Sequence, residues 1–177
     1  MKFEEFVMEV DFPVHEFSKK FKYQMINVFS YDKIAMNGDT SGYNTHFDDS
    51  EYTPIIAQKF EEVVKDIFDV DEKSRPIKTW IYCQNNKRNK SVWHSHVNTC
   101  TVNGVFYIDP PKEGGGLQLF LNGFVDTIQP KKDKLYLFPY WMDHRPLPQE
   151  DDDWRISVNV EYFCRQRPIV KQTGIIW

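Results

Sequence analysis

The chain has 177 residues, a formal net charge of −4 and a pI near 5.7, with 41% hydrophobic and 16% aromatic residues. This composition is enough for one packed domain over residues 1–177 and argues against a disordered chain. The acidic balance offers no broad attraction to nucleic acid, so no nucleic-acid partner is expected. No apolar run is long enough to cross a bilayer and the N-terminus lacks the apolar core of a signal peptide, so no membrane association is expected.

The three cysteines, Cys83, Cys100 and Cys164, are widely spaced and form no CxxC motif. An odd number of such cysteines is typical of reduced thiols in a cytosolic protein, since disulfides are rare in that compartment. We therefore expect a cytoplasmic protein.

The N-terminal part, residues 1–75, combines a strand with helices. Loosely alternating apolar residues predict an edge strand within residues 1–12. Apolar residues recurring every three or four positions predict an amphipathic helix over residues 14–29. A second helix is predicted over residues 53–68, because Thr53 suits the N-cap and Pro54 the first helical position.

From residue 76 the pattern changes to short strands with turns between them. The predicted strands cover residues 77–84, 91–97, 101–108, 117–121, 124–128, 134–139 and 155–163. Such spacing is typical of a sandwich or jelly roll. We expect a mainly β fold whose core spans residues 76–163 and whose N-terminal helices buttress one sheet. Residues 164–177 form a tail, either as a further strand or as a loosely held arm.

Three of the five histidines form a candidate metal site. His94 and His96 alternate with Ser95 along a predicted strand, so both side chains project from one face. His144 comes from a distant strand. Three protein ligands on one side of a first-row metal leave other positions open, as oxygen chemistry at Fe(II) requires. The competing interpretation is three unrelated histidines, each at the surface or satisfied by a local hydrogen bond.

Arg155 opens the apolar strand that follows His144 in the chain. A cosubstrate that chelates a metal through its 2-oxo acid needs a cation for its far carboxylate, and Arg offers a fork that stays charged when buried. Ser157 lies on the same strand face and can add a hydrogen bond. Alternatively, the acidic run Asp151–Asp153 neutralises Arg155.

A family resemblance rests on six runs taken in order. These are Lys78-Thr79-Trp80-Ile81-Tyr82, Trp93-His94-Ser95-His96-Val97-Asn98, Gly104-Val105-Phe106-Tyr107-Ile108, Gly115-Gly116-Leu117-Gln118-Leu119-Phe120, Leu137-Phe138-Pro139-Tyr140-Trp141-Met142-Asp143-His144 and Arg155-Ile156-Ser157-Val158. Together, over about residues 77–163, they resemble the Fe(II)/2-oxoglutarate-dependent dioxygenases. The most similar branch is the short prolyl-4-hydroxylase-like oxygenases of bacteria and phages. The resemblance implies a double-stranded β-helix, a cupin-like jelly roll buttressed by two or so α-helices.

The resemblance also implies a ligand set for the metal. His94 and His144 match the family's two histidine ligands. His96 occupies the position where the family usually has Asp or Glu, so the implied metal ligands are His94, His96 and His144. Replacing a carboxylate by imidazole leaves the site one unit more positive, which shifts redox tuning and metal preference.

Further matches define the cosubstrate pocket. Arg155 matches the residue that binds the far carboxylate of 2-oxoglutarate, and Ser157 matches the serine of the family's Arg-x-Ser pattern. Tyr82 and Tyr107 stand where tyrosines often line this pocket, although ordinary core aromatics would explain them as well.

The implied activity is the hydroxylation of an unactivated C–H bond with Fe(II), 2-oxoglutarate and O2. The substrate would be a peptide, a protein or a small molecule, with a peptidyl proline as one candidate, and Trp93, Tyr140 and Trp141 would flank the mouth. The resemblance leaves the oligomeric state open and places the enzyme in the cytoplasm of a bacterium or an infected host cell.

Two other functions fit the same residues. One is a jelly-roll metal-binding protein without 2-oxoglutarate turnover, and the other is a three-histidine cupin-type dioxygenase that uses no cosubstrate. A zinc hydrolase fits less well, because no Glu or Asp is spaced in the sequence to act as a general base beside the histidines.

The metal assignment predicts a difference between two histidine variants. His144→Ala should abolish tight Fe(II) binding because it removes one of three ligands, whereas His46→Ala should leave binding intact. Anaerobic Fe(II) titration of the two proteins checks this, and equal effects would overturn the assignment.

Overall fold

The computed structural model describes residues 2–13, 43–45, 53–84, 92–99, 101–150 and 155–177. The helix predicted over residues 14–29 lies outside these ranges, as do His15 and His46. Within them the chain is mainly β, as the sequence predicted.

The described helices are α1 (Phe3–Phe6) and α2 (Thr53–Ile67). The described strands are β1 (Met8–Asp11), β2 (Tyr43–Thr45), β3 (Phe68–Asp69), β4 (Arg75–Gln84), β5 (Val102–Asp109), β6 (Leu117–Leu121), β7 (Phe124–Ile128), β8 (Lys134–Pro139), β9 (Asp143–Pro146), β10 (Arg155–Phe163) and β11 (Ile169–Val170). In these parts of the chain, no helix combines the length and apolar character needed to span a membrane.

The strands form a jelly roll from antiparallel pairings. A six-stranded sheet, the major sheet, has the order β1-β8-β5-β10-β4-β2, and a three-stranded sheet, the minor sheet, has the order β7-β6-β9. Strands β11 and β3 form a separate pair. Neighbours in the major sheet are far apart in the chain, so residues from distant segments line a common surface.

Helix α2 packs against the major sheet through one apolar stripe. Ile56, Phe60 and Val64, spaced four residues apart, are all at most 1% exposed, as expected for one face of a helix. The ring of Phe60 lies 6.1 Å from that of Tyr162 on β10. The helix predicted from residue 53 is confirmed, and it ends at Ile67 where β3 begins.

The two faces of β5 have different roles. Phe106 packs against Phe12, with ring centroids 5.0 Å apart, and Gly104 faces Phe60 of α2. Because side chains alternate along a strand, Asn103 and Tyr107 project to the opposite face, into the interior of the jelly roll. The central strands therefore carry core packing on one side and polar groups on the other.

The β6–β7 hairpin forms where the sequence predicted it. Asn122 and Gly123 have φ of 52° and 86°, the left-handed conformation that a two-residue turn between antiparallel strands requires. Leu121 pairs with Phe124 directly across this turn.

Both ends of the chain pack together at one side of the body. The predicted edge strand is present as β1, but residues 3–6 before it are helical, which alternation alone does not distinguish over so short a run. Trp177 is 1% exposed, its ring lies 4.6 Å from that of Phe68, and its Nε1–H donates to Glu5 O. The C-terminal tail is thus a strand and an anchored arm.

The strand predicted over residues 91–97 is not a regular strand in its described part, residues 92–97. There only His94 is paired, through an isolated bridge to His144. A turn follows at once, with Thr99 N–H donating to His96 O. The predicted element type was wrong. Instead of a continuous ladder of hydrogen bonds, this segment has the single His94–His144 bridge.

The packing of α2 on β5 gives a stability prediction for Gly104→Ala. A Cβ at this position would clash with Phe60 Cε2 and lie 3.3 Å from Leu135 Cδ1, so the Phe60 ring or the helix that carries it must shift. We expect a loss of about 1–3 kcal/mol in the free energy of unfolding, measured by urea denaturation. Phe60→Leu in the same chain should recover part of this loss. Wild-type stability of the single variant would contradict the packing argument.

Candidate metal centre and cosubstrate pocket

The three predicted histidines converge in space. The nearest ring nitrogens of His94, His96 and His144 all lie within 4.8 Å of one another, and no other such group of potential metal ligands occurs in the described ranges. The ring centroids of His94 and His144 are 4.2 Å apart, and those of His96 and His144 are 5.1 Å apart. Two segments about fifty positions apart in the chain thus meet at one point.

Backbone hydrogen bonds hold the two segments in register. His94 N–H donates to His144 O at 3.0 Å, and His144 N–H donates to His94 O at 2.9 Å. His96 N–H donates to Tyr140 O at 2.9 Å. His144 itself lies on β9, paired with Leu119 of β6. All three imidazoles are therefore carried by hydrogen-bonded backbone, and that of His144 is paired on both sides.

Each histidine uses Nδ1 for a hydrogen bond within the protein. Nδ1 of His94 lies 3.0 Å from Val92 O, and Nδ1 of His144 lies 3.1 Å from Met142 O. A carbonyl can only accept, so both Nδ1 atoms carry the proton and both Nε2 atoms keep a free lone pair. This is the tautomer in which Nε2 binds a metal.

His144 is the most buried of the three, at 5% exposure, whereas His94 is exposed. The pKa of His144 is lowered to about 3, mainly by burial and also by the neighbouring His94 and His96, against the opposing hydrogen bond to Met142 O. The imidazole is therefore neutral at physiological pH and ready to bind a cation without first losing a proton.

A carboxylate that sequence reasoning missed stands behind His96. Glu161 Oε1 lies 2.7 Å from His96 Nδ1, and Thr99 Oγ1–H donates to the same oxygen at 3.2 Å. Burial raises the pKa of Glu161, but the hydrogen bonds from His96 and Thr99 outweigh it and the pKa is lowered overall. No spacing in the sequence indicated this carboxylate. Glu161 contacts Nδ1 of His96, so a metal at this ring would be bound by Nε2.

Arg155 is buried, at 1% exposure, where β10 begins. Its Nη1–H donates to Leu147 O at 2.8 Å and to Gly115 O at 3.3 Å. Leu147 follows His144 by three residues, so the guanidinium is held by the same segment that carries His144. Asp151–Asp153 lie outside the described residues, and their predicted competition for Arg155 stays a prediction.

Tyr107 and Ser157 accompany Arg155 inside the barrel. They are paired across β5 and β10, so their side chains share a face, and both are largely buried. Burial raises the pKa of Tyr107, while the charge of Arg155 acts in the opposite direction. The backbone of Tyr82 pairs with Ser157 from the other side, but its side chain lies outside the described parts.

Asn103 supplies a further polar group to the interior. It is 1% exposed, and among the described residues no group hydrogen-bonds to its Oδ1 or Nδ2. Its partners in register are Glu161 and Phe138, and the Phe138 ring lies 4.8 Å from the His144 ring. Buried amides normally have partners, so this buried amide is suited to a ligand or a bound water.

The donor set fits a first-row divalent metal. Three nitrogens about 2.1 Å from a shared ion and on one side of it are about 3.0–3.4 Å apart, so rings whose nitrogens lie within 4.8 Å need to approach by roughly 1–2 Å, within reach of side-chain rotations. Three nitrogens on one side leave positions for other ligands. Arg155, Ser157 and Tyr107 form a cationic, hydrogen-bonding end suited to a carboxylate.

The predicted mouth residues are placed differently from one another. Trp93 is partly exposed beside His94, with its ring 6.1 Å from that of Phe120 and with Arg145 Cζ 4.5 Å from its centroid. Trp141 instead packs on Phe6, with ring centroids 5.3 Å apart. Trp93 therefore packs beside Phe120 and Arg145, on the side of the minor sheet opposite the His144 side chain, whereas Trp141 is part of the packing of α1.

The pKa of His144 predicts how the stability of metal-free protein depends on pH. A histidine in the unfolded chain titrates near 6.5 and His144 in the folded protein near 3, so between these values the unfolded state binds more protons. Stability is fully present above pH 6.5 and is lost as the pH falls, by up to about 1.4 kcal/mol per pH unit from this group.

His144→Gln should flatten this dependence. Urea unfolding of chelator-treated protein between pH 4 and pH 7 measures it. An unchanged slope in the variant would show that His144 does not titrate as its burial implies.

Comparison with known proteins supports the fold. Neither a family model nor a curated protein matches the sequence. Among solved structures, a Trichoplax adhaerens prolyl hydroxylase in complex with a hypoxia inducible factor peptide fragment is 16% identical, with a TM-score of 0.64 over 90% of this chain and 84% of that one. The viral collagen prolyl hydroxylase of Paramecium Bursaria Chlorella virus-1, in its 2OG complex, is 16% identical, with a TM-score of 0.61 over 89% and 95%.

A third similar structure is HygX from Streptomyces hygroscopicus with nickel and 2-oxoglutarate bound. It is 10% identical, with a TM-score of 0.69 over 92% of this chain and 85% of HygX. These identities are low while the coverage is nearly complete in both directions. The chain therefore has the jelly-roll fold of prolyl hydroxylases and related 2-oxoglutarate oxygenases.

Proposed function

We propose that the protein is an Fe(II)- and 2-oxoglutarate-dependent dioxygenase that hydroxylates an unactivated C–H bond. One observation carries the proposal: the ring nitrogens of three histidines converge within 4.8 Å of one another, and the buried Arg155 is held by the segment that follows His144. A site that binds only a metal would not need a buried arginine. A dicarboxylate that chelates the metal needs both the metal and a cation for its far carboxylate.

The metal and the cosubstrate supply the oxidising chemistry when bound: 2-oxoglutarate and O2 yield succinate, CO2 and one oxygen atom for the substrate C–H bond. The protein contributes binding, orientation and exclusion of water. His94, His96 and His144 would hold the metal on one side. The remaining side faces the interior and the mouth.

Arg155 would bind the far carboxylate of 2-oxoglutarate. Its guanidinium stays charged despite burial, and its carbonyl contacts to Gly115 and Leu147 fix its direction. Tyr107 keeps its proton because burial raises its pKa, so its O–H can donate to the same carboxylate. Ser157, paired with Tyr107, offers a further hydroxyl.

The proposed substrate is an amino-acid side chain, with a peptidyl proline as the first candidate. The Trichoplax prolyl hydroxylase of similar fold was crystallised with a peptide. Trp93, partly exposed beside His94, gives an extended peptide an aromatic surface. We place the activity in the cytoplasm of a bacterium or an infected host cell, in keeping with the free thiol of Cys164.

A second candidate is a three-histidine cupin-type dioxygenase without a cosubstrate. It is favoured by His96, which is an imidazole where a carboxylate is usual among Fe(II) oxygenases. In that case Arg155 would pair with the substrate itself. The two candidates differ in whether 2-oxoglutarate binds at the iron.

Anaerobic titration of Fe(II)-loaded protein with 2-oxoglutarate distinguishes them. We expect the weak visible metal-to-ligand charge-transfer band of a chelated 2-oxo acid to appear. Arg155→Ala should weaken 2-oxoglutarate binding by about 100-fold, because a buried charge-assisted pair worth roughly 3 kcal/mol is lost.

Two controls accompany this titration. Arg165→Ala removes an exposed arginine outside the pocket and should leave the titration unchanged. Fe(II) affinity of Arg155→Ala, measured without cosubstrate, should match wild type and so show that the fold is intact. If iron binds but the band never forms, the cosubstrate role fails and the cupin-type reaction takes its place.

A further inference from the structure

Among the described residues around the histidines, Glu161 is the acidic residue in contact with an imidazole nitrogen. It is 4% exposed and its Oε1 lies 2.7 Å from His96 Nδ1. The Nδ1 atoms of His94 and His144 face neutral backbone carbonyls instead. Of the three imidazoles, it is His96 whose Nδ1 lies beside a carboxylate.

This arrangement changes the charge of the site. A divalent metal held by three neutral imidazoles keeps a charge of +2, whereas two histidines and one carboxylate reduce it to +1. In a partly buried site, an uncompensated charge is costly. A carboxylate that accepts the Nδ1–H of a metal-binding histidine raises the basicity of that ring and fixes its orientation. Glu161 lies where it can do both.

We propose that Glu161 is a positioning residue that acts through His96, supplying from behind the imidazole the negative charge that a directly bound carboxylate would give. The inference rests on the proposed metal site and deepens it. His96 and Glu161 together take the place of a single carboxylate ligand.

The surroundings of Glu161 hold it in this role. Thr99 Oγ1–H lies 2.9 Å from His96 O and 3.2 Å from Glu161 Oε1, so one hydroxyl ties the turn after His96 to the carboxylate. Glu161 is also on β10, the strand that begins with Arg155. Both residues occupy odd-numbered positions of that strand and face the interior. Strand β10 therefore carries both Arg155, proposed to bind the cosubstrate carboxylate, and Glu161, proposed to compensate the charge of the metal.

The test is metal affinity, measured on the full chain with Co(II) in air and Fe(II) under anaerobic conditions, without 2-oxoglutarate. Glu161→Gln keeps the size and a hydrogen-bond acceptor but removes the charge, and Glu161→Ala removes both. We expect a loss of affinity of about 10-fold for the first and towards 100-fold for the second. Glu9→Gln, which removes a carboxylate paired with Lys131 and Lys134 at the edge strand, should bind like wild type.

A double-mutant cycle tests whether Glu161 acts through His96. In a His96→Ala background, Glu161→Gln should change metal affinity by less than about twofold, because the relay is already broken. Wild-type affinity of Glu161→Gln would overturn the proposal. A loss in the His96→Ala background as large as in wild type would also overturn it, since Glu161 would then act on the metal or the fold by another route.

The outcome is separable from that of the proposed function. These titrations contain metal alone, so they report on Glu161 whether or not 2-oxoglutarate binds. A protein that shows the predicted cycle but no charge-transfer band keeps the role of Glu161 and loses the cosubstrate. A protein that shows the band but no effect of Glu161→Gln keeps the proposed function and loses this inference.

Discussion

The reciprocal backbone bond between His94 and His144 is the constraint on which the site depends. Each residue donates its N–H to the other's carbonyl, at 3.0 and 2.9 Å, so neither segment can slide without breaking both bonds. A one-residue slip would turn an imidazole to the opposite face. The bridge thus fixes the register of the two segments at one point, as a continuous ladder of hydrogen bonds does along a strand. The chain can turn directly after it, and this turn places His96.

Strand β10 connects the proposed metal site to the rest of the jelly roll. It lies between β4 and β5 in the middle of the major sheet, paired along nearly its whole length on both sides. A central strand with two partners is the least adaptable element of a sheet, so residues on its inner face are held precisely. This explains why Arg155, Ser157 and Glu161 can serve as fixed points while the histidines come from shorter, less regular segments.

Local patterns predicted most of the fold and part of the site. Alternation and turn residues predicted β6, β7 and the Asn122–Gly123 hairpin, because these features depend on neighbours in sequence. The alternation around His94 predicted convergence with His96, although the element is a bridge and a turn. Glu161 was missed because its contact to His96 spans 65 residues, and nothing local to either residue indicates that strands β5 and β10 bring them together.

Low identity to solved structures with nearly complete coverage has a physical explanation in these same elements. A jelly roll requires alternating burial and correct strand register, and many different sequences meet both requirements. The fold can therefore be shared by chains that are only 10–16% identical. The chemistry of a metal site requires a total charge and a ligand geometry, which also have more than one solution. An imidazole hydrogen-bonded to a buried carboxylate meets both requirements with two residues from distant strands. In the proposed metal centre, the histidine at position 96 is therefore better understood as half of a ligand pair than as the loss of an acidic ligand.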